Sequence, residues 1–135
     1  MRILTWHVVV IALSTCSVAA QNTALELPVV KSAEMPLYPQ LARSARVEGA
    51  VELKLTTDGS SITNITQNGS QKLLLNAAEA NARTWTFYKH KPQTFTVTFV
   101  YKLEAPEVYG FVNPTVLLEL PNRVEVRTNL AKPTP

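Results

Sequence analysis

The chain of 135 residues has few of the residue types that reactive sites draw on: one cysteine (Cys16), two histidines (His7 and His90) and one aspartate (Asp58). A lone cysteine rules out an internal disulfide and a thiolate metal set. There are too few His, Cys and Asp residues for a metal site, and the many threonines have no base beside them to activate a hydroxyl. Catalysis is therefore not expected, and no cofactor is expected either. Charge of one sign is also lacking: the formal net charge is +3, and basic residues nowhere alternate with aromatics as a nucleic-acid face would need. Nucleic acid is not an expected partner.

Long hydrophobic runs are missing as well. The run from Trp6 to Leu13 after Arg2 falls short of the roughly twenty apolar residues of a membrane helix. With Ser17-Val18-Ala19-Ala20 behind it, it reads as a signal peptide over residues 1–20, cleaved after Ala20. An uncleaved N-terminal anchor and lipid attachment at Cys16 are the alternatives, and the membrane enters only through this segment. The chain is therefore expected to be exported. Cleavage would leave twelve Lys plus Arg against ten acids and no cysteine, so stability would rest on the core alone.

What is present is patterned. Residues 21–37 carry Pro28 and Pro36 without a sustained period, which predicts an extended linker. Tyr38-Pro39 opens a short helix with Pro39 at its first position, Leu41, Ala42 and Ala45 inward, and Gln40, Arg43 and Arg46 outward. After Gly49 the period becomes two: Val51, Leu53 and Leu55 alternate with Glu52, Lys54 and Thr56. Asp58-Gly59 marks a hairpin turn. On the returning strand, Ser61 to Gln67, the spacing between Ile62 and Ile65 predicts a bulge.

The stretch from Ser70 to Phe87 carries Leu74, Ala77, Ala78, Ala82 and Trp85 at helical spacing, with Ser70 as the expected N-cap. Side chains as small as alanine let a helix approach a sheet closely, while Leu74 and Trp85 supply buried area at its two ends. Lys89-His90-Lys91 reads as a solvated loop. From Phe95 to Leu103, Phe95, Val97, Phe99, Tyr101 and Leu103 face one way and Thr96, Thr98, Val100 and Lys102 the other. Thr115 to Leu120 and Arg123 to Thr128 form a second hairpin, with Pro121 at its first turn position. Its apolar face (Val116, Leu118, Leu120, Val124, Val126) predicts that it extends or covers the sheet, and residues 131–135 are expected to fray.

The order of these signals resembles the C-terminal domain of the TonB family, the periplasmic energy transducers of Gram-negative bacteria, and the resemblance implies that the exported chain works in the periplasm, or on the inner membrane facing it. The resemblance is carried by Tyr38-Pro39 with Ala42-Arg43, Gly49 with Val51, Asp58-Gly59, and Ser70, Leu74, Ala77-Ala78 and Arg83. Trp85 with Phe87 and the alternating strand from Phe95 to Leu103 complete it. It implies an α+β fold, a three-stranded antiparallel sheet with two helices on one face, here over residues 38–104. An extension with a β-hairpin would follow over 105–135. It also implies an open edge on the Phe95–Leu103 strand that takes an extended segment of a TonB-dependent receptor or another envelope protein by strand addition. Tyr38, Pro39, Thr96, Thr98, Val100 and Lys102 are then the partner-binding residues, in the service of transmembrane transport.

The chain departs from the family pattern in several places. It lacks the long proline-rich spacer, and the serine one helical turn before His7 is absent. Met35 stands where the family has Gln, Thr86 where it has Arg, and Lys89 where a proline follows. The rival expectation is a structural role, in which the tail hairpin caps the sheet edge of a scaffold subunit or homodimer.

Overall fold

The computed structural model describes residues 26–105 and 114–130. The expected leader with His7 and Cys16, the start of the linker and the tail from Ala131 lie outside the described residues. Among those described, two helices and seven strands follow one another in chain order. They are β1 (Val30–Ser32), α1 (Gln40–Ser44), β2 (Gly49–Thr57), β3 (Ile62–Asn68), α2 (Lys72–Ala82), β4 (Thr86–Phe87), β5 (Gln93–Glu104), β6 (Thr115–Glu119) and β7 (Arg123–Asn129). The α+β class and both hairpins are as expected. The main sheet has five strands in the order β3-β2-β5-β7-β6, rather than three. The three expected strands are its β3-β2-β5 part.

Alternation sets which side chains are buried. Pairing Val51 with Phe99, Leu53 with Val97 and Leu55 with Phe95 puts every one of these on the same face, where all are buried. Leu74, Leu75, Ala78 and Ala82 of α2 join them in one core. Trp85 is 2% exposed, with its ring 6.0 Å from that of Phe99 and close to parallel. The alanines have the effect their size implies: Ala78 and Ala82 are fully buried.

The β2–β3 turn follows from its residues. The Asp58 carboxylate accepts from the backbone N–H groups of Ser60 and Ser61, which holds its pKa below the usual value. Gly59 has φ +116°, and a Cβ there would lie 2.8 Å from the carbonyl oxygen of His90. The expected bulge falls at Thr63, which has no partner between the Thr56–Asn64 and Thr57–Ile62 pairs.

Helix ends depart from the expectation. Ser70 does not cap α2: the helix starts after Gln71, no side chain caps it, and the Ser70 carbonyl accepts from Lys72 N–H. Pro39 is the N-cap of α1 rather than its first residue, with its carbonyl accepting from Arg43 N–H at 2.9 Å. Only Ala42 of α1 is buried; Leu41 and Ala45 face solvent, and Arg43 Nε turns inward to the Asn129 carbonyl at 2.6 Å. A single helical turn has too short a stripe to fix its own rotation, so contacts at its ends decide it.

The linker is docked rather than loose from residue 26 onward. β1 pairs with β4 in a second, two-stranded sheet. The buried Asn81 side chain donates to the Glu34 carbonyl at 2.8 Å and accepts from Trp85 Nε1–H at 3.1 Å. One amide thus ties the linker, the helix and the indole together.

Candidate functional site

The six residues implied by the resemblance do not share one surface. Thr96, Thr98, Val100 and Lys102 line up on the face of β5 away from α2, paired across with Lys54, Glu52 and Ala50 on β2 for the first three. Tyr38 lies on the opposite side, its ring edge-on to that of Tyr101 at 5.4 Å and its hydroxyl donating to the Val47 carbonyl. Burial first, then the nearby Glu48 carboxylate, pushes the Tyr38 hydroxyl up to about 12, so it stays a neutral donor. Pro39 follows it at the start of α1.

The edge expected to be open on β5 is occupied from Thr98 onward. β7 lies beside it in parallel, pairing Thr98 with Arg123, Val100 with Glu125 and Lys102 with Arg127, on to Glu104 with Asn129. Thr98 N–H donates to the Asn122 carbonyl at 2.9 Å, and Leu130 N–H to the Glu104 carbonyl at 2.8 Å. Thr96 lies before this ladder begins. The cause is apolar burial: this register puts Val124 beside Phe99 and Val126 beside Tyr101, and both valines are almost completely buried. β6 pairs antiparallel with β7 and forms the outer margin of the sheet. The turn between them closes from Asn122 N–H to the Glu119 carbonyl, so its two central residues are Leu120 and Pro121, and Pro121 takes the second of those positions rather than the expected first.

On the face away from α2, Glu125 gathers three cations. Its carboxylate meets Arg123 at 2.7 Å, Arg127 on the other side, and Lys102 of β5 at 3.5 Å. The Glu125 side chain is only 4% exposed. Hydrogen bonds from Arg123 and then Arg127 outweigh desolvation and hold its pKa down to about 2. Lys102, expected to flank a guest strand, is therefore engaged with the resident one. The alternation Arg123-Val124-Glu125-Val126-Arg127 already places the three charged residues on one face. What the sequence lacked was a way to place them beside Lys102.

A folded pKa below the unfolded value means the Glu125 contribution is in full force above about pH 4.5 and is lost as pH falls toward about 2. Urea midpoints measured at pH 7 and pH 3 should differ by less in Glu125→Gln than in the native chain, because the amide has no charge to lose.

Comparison with protein-family models and with curated proteins found no match to this chain. The TonB likeness therefore remains a resemblance of residue pattern.

Two shallow clefts open on the surface. One of about 550 Å³ is lined by Asp58 to Ser60 and Lys89 to Pro92. Both ring nitrogens of His90 are taken there, Nε2 by Thr57 Oγ1 at 2.7 Å and Nδ1 by the Tyr88 carbonyl at 2.9 Å, while Lys89 and Lys91 are exposed. The other, about 410 Å³, lies where β2 begins against β5 and is lined in part by Val100 and Lys102; there the Glu48 carboxylate accepts from Leu103 N–H at 2.9 Å, in place of a neighbouring strand. Among the described residues no group of His, Cys, Asp and Glu could hold a metal, and no helix is long and apolar enough to cross a membrane.

Proposed function

We propose that this protein is a non-enzymatic, TonB-like module of the bacterial envelope that works as a scaffold subunit, with its own C-terminal hairpin in the place where a partner's strand would add. The observation that carries this reading is the β5–β7 ladder from Thr98 to Glu104. Export rests on the N-terminal run of residues 1–20, and both the periplasm as destination and the TonB likeness rest on the residue pattern of 38–104.

Strand addition by a receptor segment at β5, in the service of transport, is the second reading, supported by the same resemblance. At this edge it needs a guest that displaces β7. Burying each valine is worth about 1.5–3 kcal/mol, and the guest would have to replace that burial as well as the backbone ladder.

Titration of the intact chain with extended peptides that carry receptor N-terminal sequences separates the two. The scaffold reading expects amide signals from Thr98 to Glu104 to stay in place and to exchange slowly. Shifts across Thr98 to Glu104 on adding peptide would restore strand addition there.

A further inference from the structure

The hairpin closes one edge and creates another. β6 is the outermost strand beside β7 and, among the described residues, pairs with nothing on its far side. Its sequence is Thr115-Val116-Leu117-Leu118-Glu119, with Leu117 50% and Leu118 40% exposed. An uncovered edge with two leucines is a template for another strand. The opposite margin differs: β3 shows polar Thr63, Asn64, Thr66 and Asn68 to solvent, and Gln67 is tied to Glu79 of α2.

We propose that two copies of the chain join through β6, antiparallel about a two-fold axis at Leu117, to make one continuous sheet. The inference rests on the capped edge proposed above, because β6 is outermost only while β7 stays on β5. The occupant is a second copy because the strand is complementary to itself. Under this two-fold, Val116 falls opposite Leu118 of the second copy, and Leu117 opposite Leu117. On the α2 side, the observed pairs Leu118–Val124 and Val116–Val126 extend this into an unbroken apolar row, Val124-Leu118 followed by Val116-Val126 of the second copy.

The other face matches in charge. Arg123 pairs with Glu119, and Thr115 with Arg127. Across the axis the row therefore reads Arg123, Glu119, then Thr115 and Arg127 of the second copy. The small threonine leaves Glu119 and Arg127 facing each other, with no like charges adjacent. The two leucines at the axis are flanked on each side by a Glu125 already neutralised by its arginines.

One strand pair gives an interface below the standard size, so a dimer that half-dissociates at roughly micromolar concentration is expected. Sedimentation equilibrium of the full chain over about 1–500 µM reads this directly. Leu117→Lys, at a half-exposed position that the monomer fold tolerates, puts two cations together at the axis and should weaken association at least about tenfold.

The register is tested in a Cys16→Ser background. Leu117→Cys should cross-link to itself under mild oxidation. Thr115→Cys and Glu119→Cys should each stay monomeric alone, since each lies about 13 Å from its own copy, and should cross-link when mixed. A chain that is monomeric across the range, self-association indifferent to Leu117→Lys, or self-cross-linking of Thr115→Cys would each overturn the proposal. Slow exchange from Thr98 to Glu104 in a monomer would sink the dimer and leave the capped edge standing. Fast exchange there would sink the capped edge itself.

Discussion

Trp85→Ala is expected to lower the stability of the fold by about 3–5 kcal/mol, seen as a fall in the urea midpoint at nearly constant slope. The indole is buried, packs close to parallel on Phe99, meets Phe87 edge-on at 6.5 Å and donates to Asn81. Alanine would leave a cavity between α2 and the sheet that Ala78 and Ala82 are too small to fill. It would also leave Asn81 Oδ1 unpaired in the interior. A domain of this size holds only about 5–15 kcal/mol in total, so the variant would be marginal. Trp85→Phe separates the two contributions: most of the stacked area is retained and the hydrogen bond is lost, for an expected cost of about 1–2 kcal/mol.

Val124→Asp is expected to undock the hairpin while the rest of the sheet holds. The side chain of Val124 is fully buried beside Phe99, with Leu118 on its other flank. An aspartate there gains nothing from the cations beside it in sequence, because Arg123 and Arg127 point to the other face. An unpaired buried carboxylate costs several kcal/mol, and releasing β7 to solvent relieves it. Native-state hydrogen exchange should then lose about a hundredfold or more of its protection at Thr98, Val100, Lys102 and Glu104, whose backbone groups face β7, with Leu103, bound to Glu48, and the β2–β3 ladder less affected. A peptide that the intact chain ignores should gain access to β5 in this variant. If all ladders open together instead, the hairpin belongs to the same cooperative unit as the helices.

Several features could be read before any fold was known because they depend on near neighbours in the chain. The turn at Asp58-Gly59 needs only a carboxylate that accepts from the next backbone N–H groups and a residue free to take positive φ. The bulge at Thr63 was visible as a break in alternation between Ile62 and Ile65. The burial of Trp85 followed from its place at the end of an alanine stripe. The cap of α2 and the rotation of α1 were not legible. For α1 the deciding partner is distant: Arg43 is turned by the carbonyl of Asn129, which no local pattern reveals. The site suffered most from this: the residues chosen on β5 do share a face, yet Lys102 is held by a carboxylate more than twenty positions away in the chain.

The sequence by itself determined the order of the two helices and of β2, β3, β5, β6 and β7, though not β1 or β4, and the face each side chain takes on those five strands, since a period of two or 3.6 is fixed by backbone geometry alone. Only the tertiary structure decided what lies beside β5. Alternation says which way Val124 and Val126 point; it is silent about which strand they sit against and in which direction that strand runs. Those choices went to the arrangement that buries both valines against Phe99 and Tyr101, a long-range gain no local pattern carries.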